Sequence, residues 1–256
     1  MKTDHGNCFQ GDPGNSFQGE ESVSKQASDV QDMFERIAPR YDLMNRLMTA
    51  GQDARWRCDV IRLAELTPGA RLLDLGAGTG DLARQALFQQ PACRPLAADF
   101  TLGMMFAGQP RPGPRLEWCA ADALRLPFPD ESFDAVVSGF LLRNVADLHQ
   151  ALSQQYRVLK PGGRLVVLDT TRPTPSPFSP FIRFHMHTLI PFLGKMITGQ
   201  ADAYRYLPTT SQNFLLAEDF QAQIQAAGFQ QVQFHRRMFG TIAIHWARKV
   251  PDLRVS

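Results

Sequence analysis

Asp74-Leu75-Gly76-Ala77-Gly78-Thr79-Gly80 is followed about twenty residues later by Asp99, a combination of residue types and spacing suited to holding a nucleoside. The glycines Gly76, Gly78 and Gly80 permit a tight strand-to-helix turn and close approach of a ligand to the backbone, where helix-start amides meet its polar groups. The dinucleotide pattern G-x-G-x-x-G would need glycine at position 81, but the chain has Asp81 there and its third glycine comes one residue early. Asp99 falls at a strand end, where a carboxylate can accept from both ribose hydroxyls. Asp122-Ala123 follow the next strand and are placed to meet an adenine edge. Asp74 is placed to meet an ammonium, through its carboxylate or an ordered water. Ligands of open α/β sheets sit outside the strand C-termini, and every one of these residues falls there.

The elements that must position them can be read from periodicity. Val30, Met33, Phe34 and Ile37, then Tyr41, Leu43, Met44, Leu47 and Met48, recur at helical spacing and are interrupted by Pro39, which predicts two amphipathic helices. A third runs through Trp56, Val60, Ile61, Leu63 and Leu66 to Thr67-Pro68-Gly69. Strands are then expected at Arg71 to Leu75, about Pro95 to Ala98, Leu116 to Ala120, Phe133 to Ser138 and Arg164 to Asp169, with helices between them. Leu159-Lys160-Pro161-Gly162-Gly163 reads as the turn that stops one helix and launches the fifth strand. The rhythm breaks over 170–213, a length uncommon for a plain connection and therefore read as an insertion covering the substrate. A helix from Ala217 to Ala227, capped by Gly228, precedes two alternating strands through Val232 and Phe234 and through Ile242, Ile244 and Trp246. The expected fold is α/β and Rossmann-like: a parallel core with a C-terminal antiparallel hairpin and helices on both faces.

Composition narrows the partners. With 256 residues, 44% hydrophobic and 20% charged, the chain can bury a full core. Residues 29–250 are read as one domain and 1–28, polar with an Phe-Gln-Gly echo at 9–11 and 17–19, as a disordered tail. A net charge of +2 without a dense Lys/Arg run argues against nucleic acid. The four cysteines, Cys8, Cys58, Cys93 and Cys119, lack metal-ligand spacing, so no metal is expected and the thiols suit a cytoplasmic chain. Residues 1–28 lack a basic start followed by an apolar run, so no secretory leader is expected. Phe178 to Ile197 is apolar around more than one helical face but is broken by Pro180, Arg183, His185, His187, Pro191 and Lys195. It is expected to lie against a membrane or cover an apolar ligand, not to span a bilayer.

Several segments together resemble the ubiquinone/menaquinone biosynthesis C-methyltransferase family, over roughly residues 29–249. They are Val30-Gln31-Asp32-Met33-Phe34 leading to Ala38-Pro39-Arg40-Tyr41-Asp42-Leu43-Met44-Asn45, then Gly78-Thr79-Gly80-Asp81-Leu82 and Leu126-Pro127-Phe128-Pro129-Asp130. Further along come Leu142-Arg143-Asn144-Val145, the run from Tyr156 to Gly163, and Tyr204-Arg205-Tyr206-Leu207. The resemblance implies a class I methyltransferase that moves a methyl group from S-adenosyl-L-methionine to a ring carbon of a prenylated quinol, with Thr79, Asp99, Asp122 and Ala123 contacting the cofactor. Where the family has a serine after the fourth strand this chain has Gly139, and neighbouring Ser138 is the substitute. Leu141 replaces a family glycine, and Asp169-Thr170-Thr171 stands where Glu-Phe-Ser is typical.

For such a reaction the enzyme must align an electron-rich carbon with an activated methyl group and favour loss of a phenolic proton. Arg143 stays protonated and is assigned to stabilising the phenolate. Tyr204, Asp202, His185 and His187 are candidates for relaying the proton, directly or through water. Besides a prenylated quinol such as demethylmenaquinol, two readings stay open: another phenolic or lipid acceptor, and a catalytically inactive binding protein. Transient contact with the inner face of the cell membrane is expected, and an oligomer is left open.

Overall fold

In the computed structural model, which describes residues 32, 33, 35, 36, 38–111, 113–172, 188 and 214–251, neighbouring strand residues face opposite layers. The five parallel strands are β1 (Arg71–Leu75), β2 (Arg94–Asp99), β3 (Glu117–Ala120), β4 (Phe133–Gly139) and β5 (Leu159–Thr170). On one face Leu73, Leu75, Val136, Leu165 and Val167 pack against the helices Leu148–Val158 and Ala217–Ala226. On the other, Leu72, Ala135, Val137, Val166 and Leu168 pack against the helices Asp53–Leu63 and Asp81–Gln89. A strand buried on both faces needs apolar residues at successive positions, which is why these segments read as near-continuous hydrophobic runs.

We label the helices in chain order α1 (Tyr41–Met48), α2 (Asp53–Leu63), α3 (Asp81–Gln89), α4 (Leu102–Gly108), α5 (Leu148–Val158) and α6 (Ala217–Ala226). A 3-10 turn at Ala38–Arg40 precedes α1, where the sequence predicts a break at Pro39. The strands β6 (Gln230–Arg237) and β7 (Ile242–Arg248) complete a sheet of order β3-β2-β1-β4-β5-β7-β6. β7 runs antiparallel to both β5 and β6, so the predicted terminal hairpin inserts its second strand next to the parallel core. Strand order reverses between β1 and β4, and the connections leaving their C-terminal ends lead to helices on opposite faces, which opens the crevice in which open α/β sheets hold ligands.

The fifth strand departs most from expectation. It begins at Leu159, directly after α5, and absorbs the run predicted as a turn. The pairing with β4 shifts between Phe133 and Ala135, so that Phe133 lies opposite Leu159 and Ala135 opposite Arg164. The extra residues are held from the other side: Gly162 N donates to Lys249 O at 2.6 Å and Lys249 N to Gly163 O at 3.0 Å. Proline and glycine are tolerated in a strand where it bulges. α2 also stops sooner than its apolar pattern predicts, at Leu63.

Beyond β5 the chain is fastened where it leaves for residue 173 and where it returns at 214. Thr171 N donates to Thr241 O at 2.9 Å, Thr171 Oγ1 to Leu215 O at 3.1 Å, and Arg172 N to Leu215 O at 3.2 Å. Residues 1–28 and nearly all of 173–213 lie outside the described residues. So do Tyr204, Asp202, His185 and His187.

Candidate active site

At the β1/β4 reversal a cavity is lined by Asp42, Arg57, Asp74, Gly76, Ala77, Gly78, Thr79, Asp81, Leu82, Gly139 and Leu168. β1 delivers Asp74 in its penultimate position, and the following loop turns sharply enough to start α3 at Asp81. Gly80 is the residue that makes this start, at φ 83°, with no room for a Cβ between Leu116, Trp118 and Arg84. Loop amides are held in place from β2, with Ala77 N donating to Ala98 O at 3.0 Å and Gly78 N to Asp99 Oδ2 at 2.6 Å.

Asp74 is buried. Its Oδ2 accepts from Ala83 N at 2.9 Å, in the first turn of α3, while Oδ1 has no hydrogen-bond partner among the described residues. Burial pushes its carboxyl up to about 7, against the pull of the Ala83 amide, and the nearby Asp81 and Asp99 charges add to the rise. A buried carboxylate with one idle oxygen fits a cationic ligand group, because a positive charge there offsets the burial. Asp99, at the end of β2, accepts from Gly78 N and, at 2.7 Å, from Thr101 N; its carboxyl too is raised by burial. Asp122 is exposed after β3 and accepts from Leu124 N at 2.9 Å, with Ala123 buried beside it. Asp74, Asp99 and Asp122 thus stand at or just beyond the ends of three adjacent strands. Ser138 is fully buried in β4, its Oγ unpartnered among the described residues, and the cavity is lined by Gly139, one residue on.

Past Gly139 the backbone doubles back. Phe140 has φ 60° and donates its N–H to Leu168 O at 2.7 Å, which swings Leu141 over the glycine loop and Arg143 toward β5. Arg143 is held there by Asp169. Nη1 donates to Oδ1 at 2.7 Å, the backbone N to Oδ2 at 3.2 Å, and the guanidinium lies 5.0 Å from the Phe140 ring centre. Both side chains are nearly fully buried, at 5% and 2% exposure, and Arg143 Nε has no partner among the described residues.

Leu141 and Gly76 form one packing unit. A Cβ on Gly76, at φ 66°, would come within 2.9 Å of Leu141 Cδ1. Gly76→Ala is therefore expected to cost about 1–3 kcal/mol, part from the left-handed backbone and part from the contact. Adding Leu141→Ala removes Cγ and Cδ1 but leaves Cβ at 3.0 Å, so the double variant should lose less than the sum of the two single variants without recovering the whole contact cost, as read from urea midpoints. Strictly additive losses would show that Leu141 does not press on the loop.

An ion network that periodicity could not reveal runs along the cavity lining. Thr79 Oγ1 donates to Asp42 Oδ1 at 3.0 Å, and Arg111 bridges Asp42 and Asp81. Arg57 Nη1 bridges Asp81 at 2.9 Å and Asp53 at 3.0 Å. Asp42, Arg57 and Asp81 line the cavity and were not among the residues singled out for chemistry from sequence. Asp81 could have been found, since it directly follows the glycine loop; Arg57 carried no such local signal.

Residues 21–249 match the model of the ubiE/COQ5 methyltransferase family. The chain belongs to that family. A relative from Desulfotalea psychrophila named ubiquinone/menaquinone biosynthesis C-methyltransferase UbiE is 43% identical over 230 residues, covering 90% of this chain and 94% of its own. A Thermus thermophilus demethylmenaquinone methyltransferase is 44% identical over 216 residues, covering 83% and 98%. Among solved structures, a SAM-dependent methyltransferase from Thermotoga maritima, described as a possible histamine N-methyltransferase, superposes with a TM-score of 0.59 at 21% identity over 85% of this chain and 98% of its own. That likeness shows the fold, the class I methyltransferase sheet with its antiparallel C-terminal pair. This ubiE/COQ5 family member carries the glycine loop and the three strand-end aspartates on that sheet.

Proposed function

We propose that this chain transfers a methyl group from S-adenosyl-L-methionine to a ring carbon of a prenylated quinol, with demethylmenaquinol as acceptor and menaquinol as product. The observation that carries the reading is the switch-point cavity, where Asp74 Oδ1 stands buried and unpartnered beside the glycine-loop backbone. The names of the two relatives support the quinol. S-adenosylmethionine, when bound, supplies a methyl group already activated on a sulfonium. The chain binds and orients it: Asp74 takes the ammonium, and Gly76, Gly78, Thr79 and Gly80 offer the loop. Asp99 accepts from the ribose hydroxyls, Asp122 and Ala123 meet the adenine, and the idle Ser138 hydroxyl is a further contact.

Toward the acceptor, the residues work on a proton and a charge. Loss of the phenolic proton makes the ring carbon nucleophilic, and Arg143, fixed by Asp169 with its Nε–H unused, stabilises the phenolate. The proton itself passes to Tyr204, Asp202, His185 or His187, directly or through water. One observation favours a second reading, another phenolic or lipid acceptor: Leu141 occupies the space over Gly76. Incubation with radiolabelled donor and a panel of prenylated quinols decides between them. Label in menaquinol formed from demethylmenaquinol is the expected result, and label only in products that are not quinols rejects it.

Such an acceptor resides in a membrane, so the same reading places the enzyme in the cytoplasm with transient contact at the inner face of the cell membrane. No helix among the described residues is long and apolar enough to cross one. The apolar run of residues 178–197 supports a peripheral contact. Phe181→Ser with Phe192→Ser should abolish flotation with anionic vesicles while cofactor affinity is retained; unchanged flotation would exclude this surface.

A further inference from the structure

The amino-acid end of S-adenosylmethionine carries a carboxylate as well as an ammonium, and the cavity is unevenly equipped for the two. Asp42, Asp74 and Asp81 line it, but among the described residues Arg57 is the one Lys or Arg in its lining. Arg57 projects from α2 and is anchored through Nη1 by Asp53, one turn earlier, and by Asp81 at the start of α3. Its side chain is 20% exposed, and it lines the same cavity as Asp74, close enough for its charge to offset a small part of the burial-driven rise of the Asp74 carboxyl. A guanidinium fixed on one nitrogen, in the lining of the same cavity as the carboxylate meant for the ammonium, is arranged to read the two ends of a zwitterion together. Arg111, the other arginine of the network, bridges Asp42 and Asp81 and does not line the cavity.

We infer that Arg57 binds the carboxylate of the cofactor's amino-acid end and makes the site selective for donors that keep it. This rests on the reading that the glycine loop holds S-adenosylmethionine. The guanidinium then serves three carboxylates, two from the protein and one from the ligand, and the protein pair keeps it in place before the ligand arrives.

Calorimetric titration of the full chain with S-adenosylmethionine and with decarboxylated S-adenosylmethionine tests the inference without recourse to turnover. The wild type should bind the decarboxylated compound about tenfold more weakly or worse. Arg57→Gln should weaken S-adenosylmethionine by about the same factor and leave the decarboxylated compound within about threefold, closing the gap. Arg57→Lys should keep part of the gap, since it retains the charge and loses the fork; it serves as the readout if the glutamine variant does not fold. Equal weakening of both ligands, or a gap unaltered in both variants, overturns the assignment to Arg57. Failure of the wild type to bind either compound overturns the cofactor reading itself.

Discussion

Asp169→Ala is expected to destabilise the protein by about 3–5 kcal/mol and to lower its melting temperature by on the order of 10 °C. The reason is the company Asp169 keeps. It neutralises Arg143 inside the protein and also accepts from the Arg143 and Thr170 amides, so its removal strands a guanidinium at 5% exposure and two N–H groups. Arg143→Met should be costly for the mirror reason, because Asp169 is then the buried charge without a partner. The double variant Asp169→Ala with Arg143→Met should recover stability relative to either single one, because no charge is left uncompensated. Methyl transfer should stay lost in all three, since the phenolate then lacks its fixed cation. Thermal melts of the four proteins check the stability cycle, and strictly additive losses would mean that the two side chains do not act as a pair.

Asp74→Asn is expected to weaken S-adenosylmethionine binding by about ten- to a hundredfold, the scale of one charge-assisted contact, and to alter how the protein responds to pH. Folding raises this carboxyl from 3.8 to about 7, chiefly by burial, so the folded chain keeps a proton that the unfolded chain has released. The stability associated with that proton is fully present below the unfolded value and is lost as pH rises through 7, a change of roughly 4 kcal/mol. Asparagine has no such proton, so the variant should gain on the wild type in urea midpoint between pH 5 and pH 8. Binding of an ammonium favours the ionised carboxylate, and wild-type affinity should therefore fall below pH 7 by up to about tenfold per pH unit. Binding at pH 6 should release about one proton, measurable as the dependence of binding enthalpy on the buffer's own ionisation heat. Parallel stability profiles for the two proteins, or no proton release, would remove Asp74 from the ammonium site.

The glycine loop, the strands that flank it and the three aspartates could be read in advance because each rests on local chemistry. A glycine at positive φ, a carboxylate at a strand end and an apolar run buried on both faces leave their mark within a few residues. β5 starts earlier than its sequence predicts because Lys160 to Gly163 has the composition of a turn, and it is the late segment around Lys249 whose hydrogen bonds draw that run into the sheet. The pairing of Arg143 with Asp169 follows from β4 and β5 being parallel neighbours, a fact of strand order that the linear pattern does not contain. Arg57 lies further still from what a sequence reveals: α2 and α3 must first pack together before its guanidinium can meet Asp81. Tyr204, Asp202, His185 and His187 lie outside the described residues, and their part in the chemistry rests on sequence alone.

The fastening of Thr171 and Arg172 to Leu215 and Thr241 has a meaning for how such an enzyme can diversify. Residues 173–213 depart from and return to one spot beside the sheet, with the two stems tied to each other and Thr171 tied to Thr241 just before β7, so the segment is topologically a cassette. Its length and composition can drift at little cost in loop-closure entropy, while the described lining of the switch-point cavity comes from β1, β4, β5 and α1 to α3. On the reading that this stretch covers the acceptor, a lineage exchanges one methyl acceptor for another by rewriting a single stretch of chain.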